Sequence, residues 1–392
     1  MKVLFWLSIG LDKHVTSEHL ISSMIESVCK QGNSVHIIQK GTGGELPSIP
    51  ETLACYPVTT SVIPFRAADK GNFIARYFTE LKYIYASRKY IQSDFDAVFI
   101  QSTTVAGYAV KIIRSKNPNA TITFNVQDIF PDNAAFSGNI NKNGIIYHIL
   151  AKSQQYSYRH SDHIITISED MKDTLIIDGA EEKKIEVIYN WSYQDMLYTG
   201  ISNLHFSHFF DPHFYNVVYA GNIGIMQNVD ILVEAARIMK NDTDVWFHII
   251  GNGVYKEKLQ KKVEEYERKN ISFWPMQPPE LAPVIYSSAD VNIIPLVKNI
   301  YRTALPSKTA TCLACSKPII FAIGRESKFG QKVMKETDCF VVDPDQPNYL
   351  VEAIRKSKEM RNKRNSGDFF LKYCSKTENS KRYAEIITTL KE

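Results

Sequence analysis

The sequence predicts an α/β protein built from two doubly wound domains, and three observations support this prediction. The chain has 392 residues, a length that suits two domains at roughly 100–200 residues each. Short apolar runs alternate with amphipathic helical segments, which favours parallel sheets with helices on both faces. The alternation also occurs as two separate series, with an aperiodic stretch between them.

The first series of apolar runs predicts the sheet of an N-terminal domain. Its strands are expected at residues 3–9, 35–38, 97–101, 122–126 and 163–167, with another between residues 52 and 62. A helix is expected over residues 16–31. Thr16 and Ser17 supply its N-cap, and Gly32 suits the left-handed residue that follows a helix.

The second series predicts a sheet in a C-terminal domain. Its strands are expected at residues 215–220, 245–250, 271–274, 291–295, 318–323 and 339–342. Residues 189–212 show no period and are predicted to connect the domains. We therefore expect an N-terminal domain over residues 1–190 and a C-terminal domain over residues 191–374, with the amphipathic segment 375–392 packing back on the first domain.

Composition narrows the class of protein. Hydrophobic residues make up 44% and charged residues 22% of the chain, which is ordinary for a globular protein. The formal net charge of +4 is compatible with anionic substrates or a lipid surface but is too small to indicate DNA binding. Six scattered cysteines and no secretion signal are typical of a reducing cytoplasm.

The most informative motif is a glycine-rich turn, YAGNIG, at the end of the strand predicted for residues 215–220. Gly221 and Gly224 lie between that strand and a helix expected from about Asn228, where backbone N–H groups can face an anion. Gly251 and Gly253 follow the next strand in the same way. Each turn alone is equally compatible with a plain tight turn, but two at one sheet edge favour a shared ligand.

A third segment, Leu-Pro-Ser-Lys at residues 305–308, follows the strand predicted for residues 291–295 and opens a helix. Ser307 offers a hydroxyl and Lys308 an ammonium group beside free helix N–H groups. This combination favours phosphate as the ligand. The alternative is that Lys308 is simply a solvated surface lysine.

In the first series, Gln127 and Asp128 follow the strand predicted for residues 122–126, at the sheet edge where open α/β sheets bind their ligands. The next residues include Phe130 and Pro131, and proline restricts the residue before it. The loop would therefore hold the carboxylate of Asp128 in place. The alternative is that Asp128 caps the following turn.

No metal cofactor is predicted, although three groups of side chains have a spacing that a metal could use: the set His205, His208, Asp211 and His213, the Asp-Pro-Asp of residues 343–345, and the pair Cys312 and Cys315. Phenylalanines and a proline within the first set favour a packed linker. The second is typical of a turn, and the third of a buried helix face.

The helix expected over residues 72–91 mixes cations with tyrosines: Arg76, Lys82, Arg88 and Lys89 alternate with Tyr77, Tyr83, Tyr85 and Tyr90. This mixture suits a membrane interface. The alternative, slightly favoured, is a solvated helix whose aromatic residues pack inward.

Taken in order, these motifs resemble the GT-B glycosyltransferases of family 4, particularly the branch that builds bacterial capsule and O-antigen polysaccharides. In that branch a Gln-Asp-aromatic-Pro sequence follows a first-domain strand, and an Asn-Trp pair precedes the second domain. The matching residues here are Gln127, Asp128, Phe130, Pro131, Asn190 and Trp191. With the two glycine turns and the Pro-Ser-Lys helix start, the resemblance covers nearly the whole chain.

The resemblance implies two Rossmann-like domains facing each other across a cleft. It implies a retaining transfer of a sugar from a nucleotide-sugar donor, expected to be UDP-linked, to a polyprenyl-diphosphate-linked or other glycan acceptor. It implies no metal, because helix ends and cations neutralise the leaving diphosphate. It also implies a cytoplasmic enzyme with peripheral contact to the inner membrane and no nucleic-acid partner.

The resemblance also assigns residues to the site. Asp128 and Lys308 are the expected catalytic residues. The donor is expected to contact Gly221, Asn222, Gly224, Gln227, Gly251, Gly253, Met276, Ser307 and Lys308. The acceptor is expected to contact His14, Gln127 and Asp128.

Four positions depart from the family pattern. Asn222 and Gln227 stand where many members carry Arg and Lys, and Thr303 and Thr311 stand where two glutamates are usual. Because of these departures, two alternatives stay open. One is a sugar-nucleotide epimerase of the same fold, which needs no acceptor. The other is a non-catalytic partner subunit that binds another transferase.

Overall fold

A computed structural model describes residues 1–11, 17–41, 49–65, 73–193, 195–198, 210–266, 270–360 and 366–390. The chain divides into two units. Unit 1 comprises Met1–Tyr193 together with Lys376–Glu392, and unit 2 comprises Gln194–Ser375.

Unit 1 is built on a parallel sheet. Its strands are β1 (Lys2–Trp6), β2 (Ser34–Gly41), β3 (Val58–Pro64), β4 (Ala97–Gln101), β5 (Thr121–Val126), β6 (His163–Thr166) and β7 (Ile185–Val187). They pair in the order β3-β2-β1-β4-β5-β6-β7. Every residue of β4 and β5 is buried, as expected for central strands that are covered on both faces.

Six helices connect these strands. They are α1 (Glu18–Lys30), α2 (Phe73–Ser87), α3 (Ala106–Lys116), α4 (Asp132–Phe136), α5 (Ile145–His160) and α6 (Glu169–Ile177). Helix α3 packs against α5, and α2 packs against α3. None of the helices in the described part of the chain is long and apolar enough to cross a membrane.

Unit 2 repeats the doubly wound arrangement. Its strands are β8 (Tyr215–Ala220), β9 (Val245–Ile250), β10 (Ile271–Trp274), β11 (Val291–Pro295), β12 (Ile319–Ala322) and β13 (Phe340–Val342). They pair in parallel in the order β10-β9-β8-β11-β12-β13. The helices are α7 (Asp230–Ile238), α8 (Lys256–Glu264), α9 (Ala282–Ser288), α10 (Lys308–Ala314), α11 (Lys328–Glu336), α12 (Pro347–Glu359) and α13 (Ser366–Tyr373).

The last helix of the chain, α14 (Lys376–Thr388), packs along α1 in unit 1. Asn125 of β5 contacts Tyr383 of α14, whereas the preceding Phe124 contacts Tyr158 of α5. Because successive side chains of a strand point to opposite faces of its sheet, α14 and α5 lie on opposite faces. The series α2, α3 and α5 therefore covers the face that α1 and α14 do not.

Several element boundaries differ from those predicted, and two of these differences have a local cause. Strand β3 begins at Val58, because Glu51–Leu53 form a short 3₁₀ helix instead. Helix α7 begins at Asp230, since Ile225–Gln227 form another 3₁₀ turn and Asn228 has a left-handed φ of 46°. The left-handed residue predicted after α1 is confirmed, with a φ of 82° at Gly32.

Candidate functional site

The two glycine turns of unit 2 lie side by side, because their strands β8 and β9 are neighbours in the sheet. The amide of Ile223 donates to the carbonyl of Asn252 at 2.8 Å. Gly251 has a φ of +152°, and a Cβ there would lie 1.9 Å from the carbonyl oxygen of Gly221. Gly253 has a φ of +155°, with the Ile223 carbonyl 2.3 Å from such an atom. Neither position accepts another residue without moving the backbone.

Lys308, the first residue of α10, reaches the end of β8. Its Nζ donates to the carbonyl of Ala220 at 2.8 Å and lies 3.8 Å from the centre of the Tyr219 ring. A Cβ on Gly221 would be 2.6 Å from this Nζ, so the glycine leaves room for the ammonium. The side chain is half-buried, and desolvation lowers the pKa of Lys308 to about 8. A bound anion would favour its charged form.

Two tyrosines next to this turn donate hydrogen bonds to its carbonyl groups. Tyr219 donates its hydroxyl to the carbonyl of Asn222, and Tyr286 donates to that of Ala220 at 3.0 Å. Burial raises the pKa of both phenols, so they act as neutral donors. Within the described residues, the backbone amides of Asn222 and Gly224 donate no hydrogen bond. The turn therefore keeps N–H groups available for a ligand.

Asn222 and Gln227 form a neutral pair beside this turn. The Nδ2 group of Asn222 donates to Oε1 of Gln227 at 3.1 Å. A Cβ on Gly224 would be 2.6 Å from that Oε1 and 2.8 Å from that Nδ2, so the two amides close over the glycine. The pair adds hydrogen-bonding capacity to the turn but no charge.

The other expected donor residues make no described contact with the turn after β8. Ser307 is exposed, and its hydroxyl does not cap α10. Met276 follows β10, two strands away from β8, and is 52% exposed. Thr303 is buried and donates its hydroxyl to the carbonyl of Ile300 at 3.1 Å, while Thr311 lies half-buried within α10. The Thr303 hydroxyl is thus committed to its own loop.

In unit 1, Asp128 follows β5 and has an exposed side chain. Its Oδ1 accepts a hydrogen bond from Nδ2 of Asn133 at 2.9 Å. Desolvation by the surrounding chain raises the pKa of the Asp128 carboxyl to about 7, against the lowering effect of the Asn133 hydrogen bond. Because water reaches the exposed side chain, it limits this rise. The Phe130–Pro131 peptide bond of the same loop is cis.

Gln127 joins the two sequence motifs of this unit. Its Oε1 accepts from Nδ2 of Asn190 at 2.7 Å. Its Nε2 donates to Oδ1 of Asn125 at 3.2 Å and lies 3.4 Å from the hydroxyl of Tyr383. Tyr383 itself donates to Oδ1 of Asn125 at 3.0 Å, and Asn125 donates to Gln101 at 2.9 Å. These residues form a polar network in which the side chain of Gln127 is already hydrogen-bonded.

Sequence reasoning missed Tyr383, Asn125 and Tyr219. A periodic pattern gives no signal for Tyr383, which lies more than 250 residues from Gln127 in the chain. Expected residue His14 lies outside the described residues, as do His205 and His208. In the described part of the chain, no group of three or more His, Cys, Asp or Glu could hold a metal ion.

Two family models match consecutive parts of the chain. The model described as Glycosyltransferase Family 4 matches residues 17–191, and the model described as Glycosyl transferases group 1 matches residues 201–367. The matches follow each other along the chain and together span most of it.

Individual proteins show the same likeness. The chain is 20% identical over 244 residues to a probable glycosyltransferase, WbjE, of Pseudomonas aeruginosa, covering 60% of this chain and 59% of that protein. It is 24% identical over 221 residues to the putative colanic acid biosynthesis glycosyl transferase WcaI of Escherichia coli K12, covering 55% of this chain and 54% of that protein. The chain thus matches a little over half the length of each.

The crystal structure of HepE from Anabaena in complex with UDP and glucose superimposes with a TM-score of 0.72 at 14% identity, covering 100% of both chains. At that identity the likeness shows the fold alone, and it confirms the two-domain GT-B fold expected from the sequence. With the two family models matched in order, the chain carries a Glycosyltransferase Family 4 domain followed by a Glycosyl transferases group 1 domain.

Proposed function

We propose that this protein is a retaining glycosyltransferase. It would move a sugar from a UDP-sugar to a polyprenyl-diphosphate-linked or other glycan acceptor during synthesis of a bacterial capsule or O-antigen polysaccharide. The observation that carries the proposal is the ammonium of Lys308, which lies 2.8 Å from the Ala220 carbonyl at a turn with unused N–H groups. The UDP bound to HepE supports the choice of nucleotide, and the name of WcaI supports the choice of process.

The donor side of the proposal rests on charge. When the bond from the sugar to the diphosphate breaks, negative charge grows on the departing nucleoside diphosphate. Lys308 and the amides of Asn222 and Gly224 would stabilise that charge where it develops. Because Asn222 and Gln227 are neutral, the positive charge at the turn after β8 would come from Lys308. The proposal therefore includes catalysis without a metal ion.

The acceptor side of the proposal rests on Asp128. This carboxylate would orient or deprotonate the acceptor hydroxyl, or stabilise positive charge near the reacting carbon. Gln127, whose side chain is bonded to Asn190 and Asn125, would hold the loop that carries Asp128. The match to the Glycosyltransferase Family 4 model supports retention of the donor's anomeric configuration.

The proposal places the enzyme in the cytoplasm, with peripheral contact to the membrane that holds its acceptor. A polyprenyl chain stays in the bilayer because transferring so many methylene groups into water is costly. The diphosphate and the sugar of the acceptor would then be presented at the membrane surface. No nucleic-acid partner is proposed.

The first experiment is thermal stabilisation of the purified protein by UDP, GDP, dTDP and CMP, each with and without magnesium. A ligand at 100 times its dissociation constant adds about 2.7 kcal/mol, a shift of several degrees. Stabilisation by UDP without magnesium, together with transfer from a UDP-sugar to a lipid-linked acceptor, would support the proposal. No response to any nucleotide would contradict it.

A further inference from the structure

The outer faces of α2, α3 and α5 have a feature that the proposed transfer reaction does not use. Each helix presents large apolar side chains to solvent together with a lysine. The residues of this three-helix face are Phe78, Lys82 and Tyr85 on α2, Tyr108 and Lys111 on α3, and Ile145, Ile149 and Lys152 on α5.

The exposed residues of α2 form one stripe, because Phe78, Lys82 and Tyr85 follow at intervals of four and three residues. Phe78 is 55% and Tyr85 73% exposed. The buried residues Tyr83 and Ile84 lie on the opposite side of the helix. Tyr85 thus turns its ring outward instead of packing against the core.

Helix α5 also exposes large apolar side chains to solvent, and more strongly than α2 does. Ile145 is 79% and Ile149 47% exposed, whereas Leu150 and Gln154 face the core. Lys152 shares the outer side of the helix with the two isoleucines. An amphipathic helix normally buries such residues, so exposed isoleucines at this density indicate an apolar partner.

A groove lies between α2 and α3 in the same layer. It has a volume of about 450 Å³ and is lined by Leu81, Ile84, Tyr85, Tyr108 and Ile112, among others. Its walls are almost entirely apolar, and Lys82 stands at its edge. An apolar side chain or an acyl chain would fit this groove better than a polar ligand.

Charge identifies the partner. Helices α2, α3 and α5 together contain seven Lys and Arg residues and a single acid, Glu80. Glu80 is paired with Lys40 at 2.8 Å. The three helices themselves thus have a net charge of +6, and one of their cations, Arg114, pairs with Asp162 outside them at 2.8 Å. Among the described residues, Lys82, Lys111 and Lys152 form no ion pair.

We propose that the three-helix face docks on an anionic lipid bilayer, with Ile145, Ile149, Phe78 and Tyr85 entering the headgroup boundary and the lysines contacting lipid phosphates. Apolar and aromatic residues flanked by cations that outnumber acids match such a surface. The proposal rests on the proposed function for its purpose, since a lipid-linked acceptor lies in the bilayer. Vesicle binding is nevertheless measured without donor or acceptor, so failure of one proposal is distinguishable from failure of the other.

The test is co-sedimentation of the full chain with vesicles of phosphatidylcholine alone and of equal parts phosphatidylcholine and phosphatidylglycerol. We expect at least about tenfold tighter binding to the anionic vesicles, because each basic residue near the membrane surface strengthens binding by about fivefold. Two double variants, Ile145→Ser with Ile149→Ser and Lys82→Glu with Lys152→Glu, should each lose about tenfold or more in binding.

Matched controls lie elsewhere on the surface. Ile177 on α6 is 80% exposed. Lys261 on α8 is exposed and forms no ion pair with the described part of the chain. Ile177→Ser and Lys261→Glu should bind vesicles as the unchanged protein does. Equal binding to both vesicle types, no binding, or equal losses in the controls would overturn the proposal. So would a dimer in sedimentation velocity that the isoleucine variant dissociates, because the face would then bind a second copy of the chain.

Discussion

The loop after β8 in unit 2 and the loop after β5 in unit 1 both lie at the carboxyl end of a central parallel strand, yet they are built differently. The first is shaped by backbone: Gly251 and Gly221 approach so closely that a Cβ has no room, and a cation, Lys308, lies at its end. The second is shaped by side chains: Gln127 is held by Asn190, and a carboxylate, Asp128, lies next to it in the chain.

The difference predicts how each loop fails. In the first loop the backbone segments are in direct contact, so one added carbon atom should disrupt the turn completely. A loop held by several amide hydrogen bonds should weaken gradually, because each bond contributes only about 0.5–1.5 kcal/mol. The opposite charges of Lys308 and Asp128 further suggest that the first loop serves a leaving anion and the second a hydroxyl.

The largest effect is expected for Gly251→Ala. Its backbone conformation costs a non-glycine residue about 1–3 kcal/mol, and overpacking against the Gly221 carbonyl about 1–3 kcal/mol more. The free energy of unfolding, measured in urea, should fall by the sum of these two costs. The thermal stabilisation of the protein by UDP should disappear. Gly179→Ala is the control, because Gly179 has a φ of +95° but nothing within 4 Å of the added atom. Equal losses in the two variants would show that strain alone, and not the close approach, makes Gly251 necessary.

The next effect is expected for Asp128→Asn. Removing a general base lowers turnover by about 10²–10⁴-fold, while nucleotide affinity in unit 2 should stay unchanged. The exposed Asp94, paired with Lys2, gives the control Asp94→Asn, which should keep its turnover. Full activity of Asp128→Asn would remove Asp128 from the mechanism.

The same carboxyl predicts a pH dependence. Its pKa is raised from 3.8 towards about 7, and a base acts only when deprotonated. Turnover should therefore rise with pH through a pKa within that interval and should stay level at higher pH until another group titrates. The residual activity of Asp128→Asn should lack this rising limb. A rising limb of unchanged position in that variant would assign the titration to another group.

Lys308→Met should lower turnover by about 10²–10³-fold, the usual cost of removing a group that stabilises a developing anion. Donor binding should fall less, because the backbone amides remain. The comparison variant is Lys261→Met, an exposed lysine of the same unit. Turnover at saturating donor distinguishes a role of Lys308 in the transfer step from a role in donor binding alone. An unchanged value would show that Lys308 takes no part in the transfer step.

These two loops were not equally predictable from the sequence. Glycine is required at Gly251 for a local reason, and a glycine after an apolar strand is visible in the chain. From the sequence we could predict only that Lys308 and Ala220 lie at the same edge of the sheet. Their contact depends on the strand order, which places β8 next to β11. The partner of Gln127 in α14, Tyr383, gives no local pattern at all, since packing of the last helix against the first sheet brings it there.

The fold was predictable for the same physical reason. Buried parallel strands such as β1 and β4 are almost continuous apolar runs, and these mark the sheets directly. The start of β3 was missed because Glu51–Leu53 form a 3₁₀ helix before the strand begins, and apolar periodicity does not report such a turn. The pairing of Asn222 with Gln227 was also missed, because it depends on the 3₁₀ turn between them, which apolar periodicity does not report.

The smallest effect, expected for Tyr383→Phe, tests the gradual failure of the unit 1 loop. The Tyr383 side chain is fully buried, and removing its hydroxyl leaves Oδ1 of Asn125 with only the 3.2 Å bond from Gln127. The free energy of unfolding should fall by about 1–3 kcal/mol. Turnover should fall only a few-fold, because Asn190 still holds Gln127. Tyr193→Phe, at a 66% exposed tyrosine of the same unit, should change neither quantity. A loss of turnover as large as that of Asp128→Asn would mean that the network acts as one rigid element, and the contrast between the two loops would then be wrong.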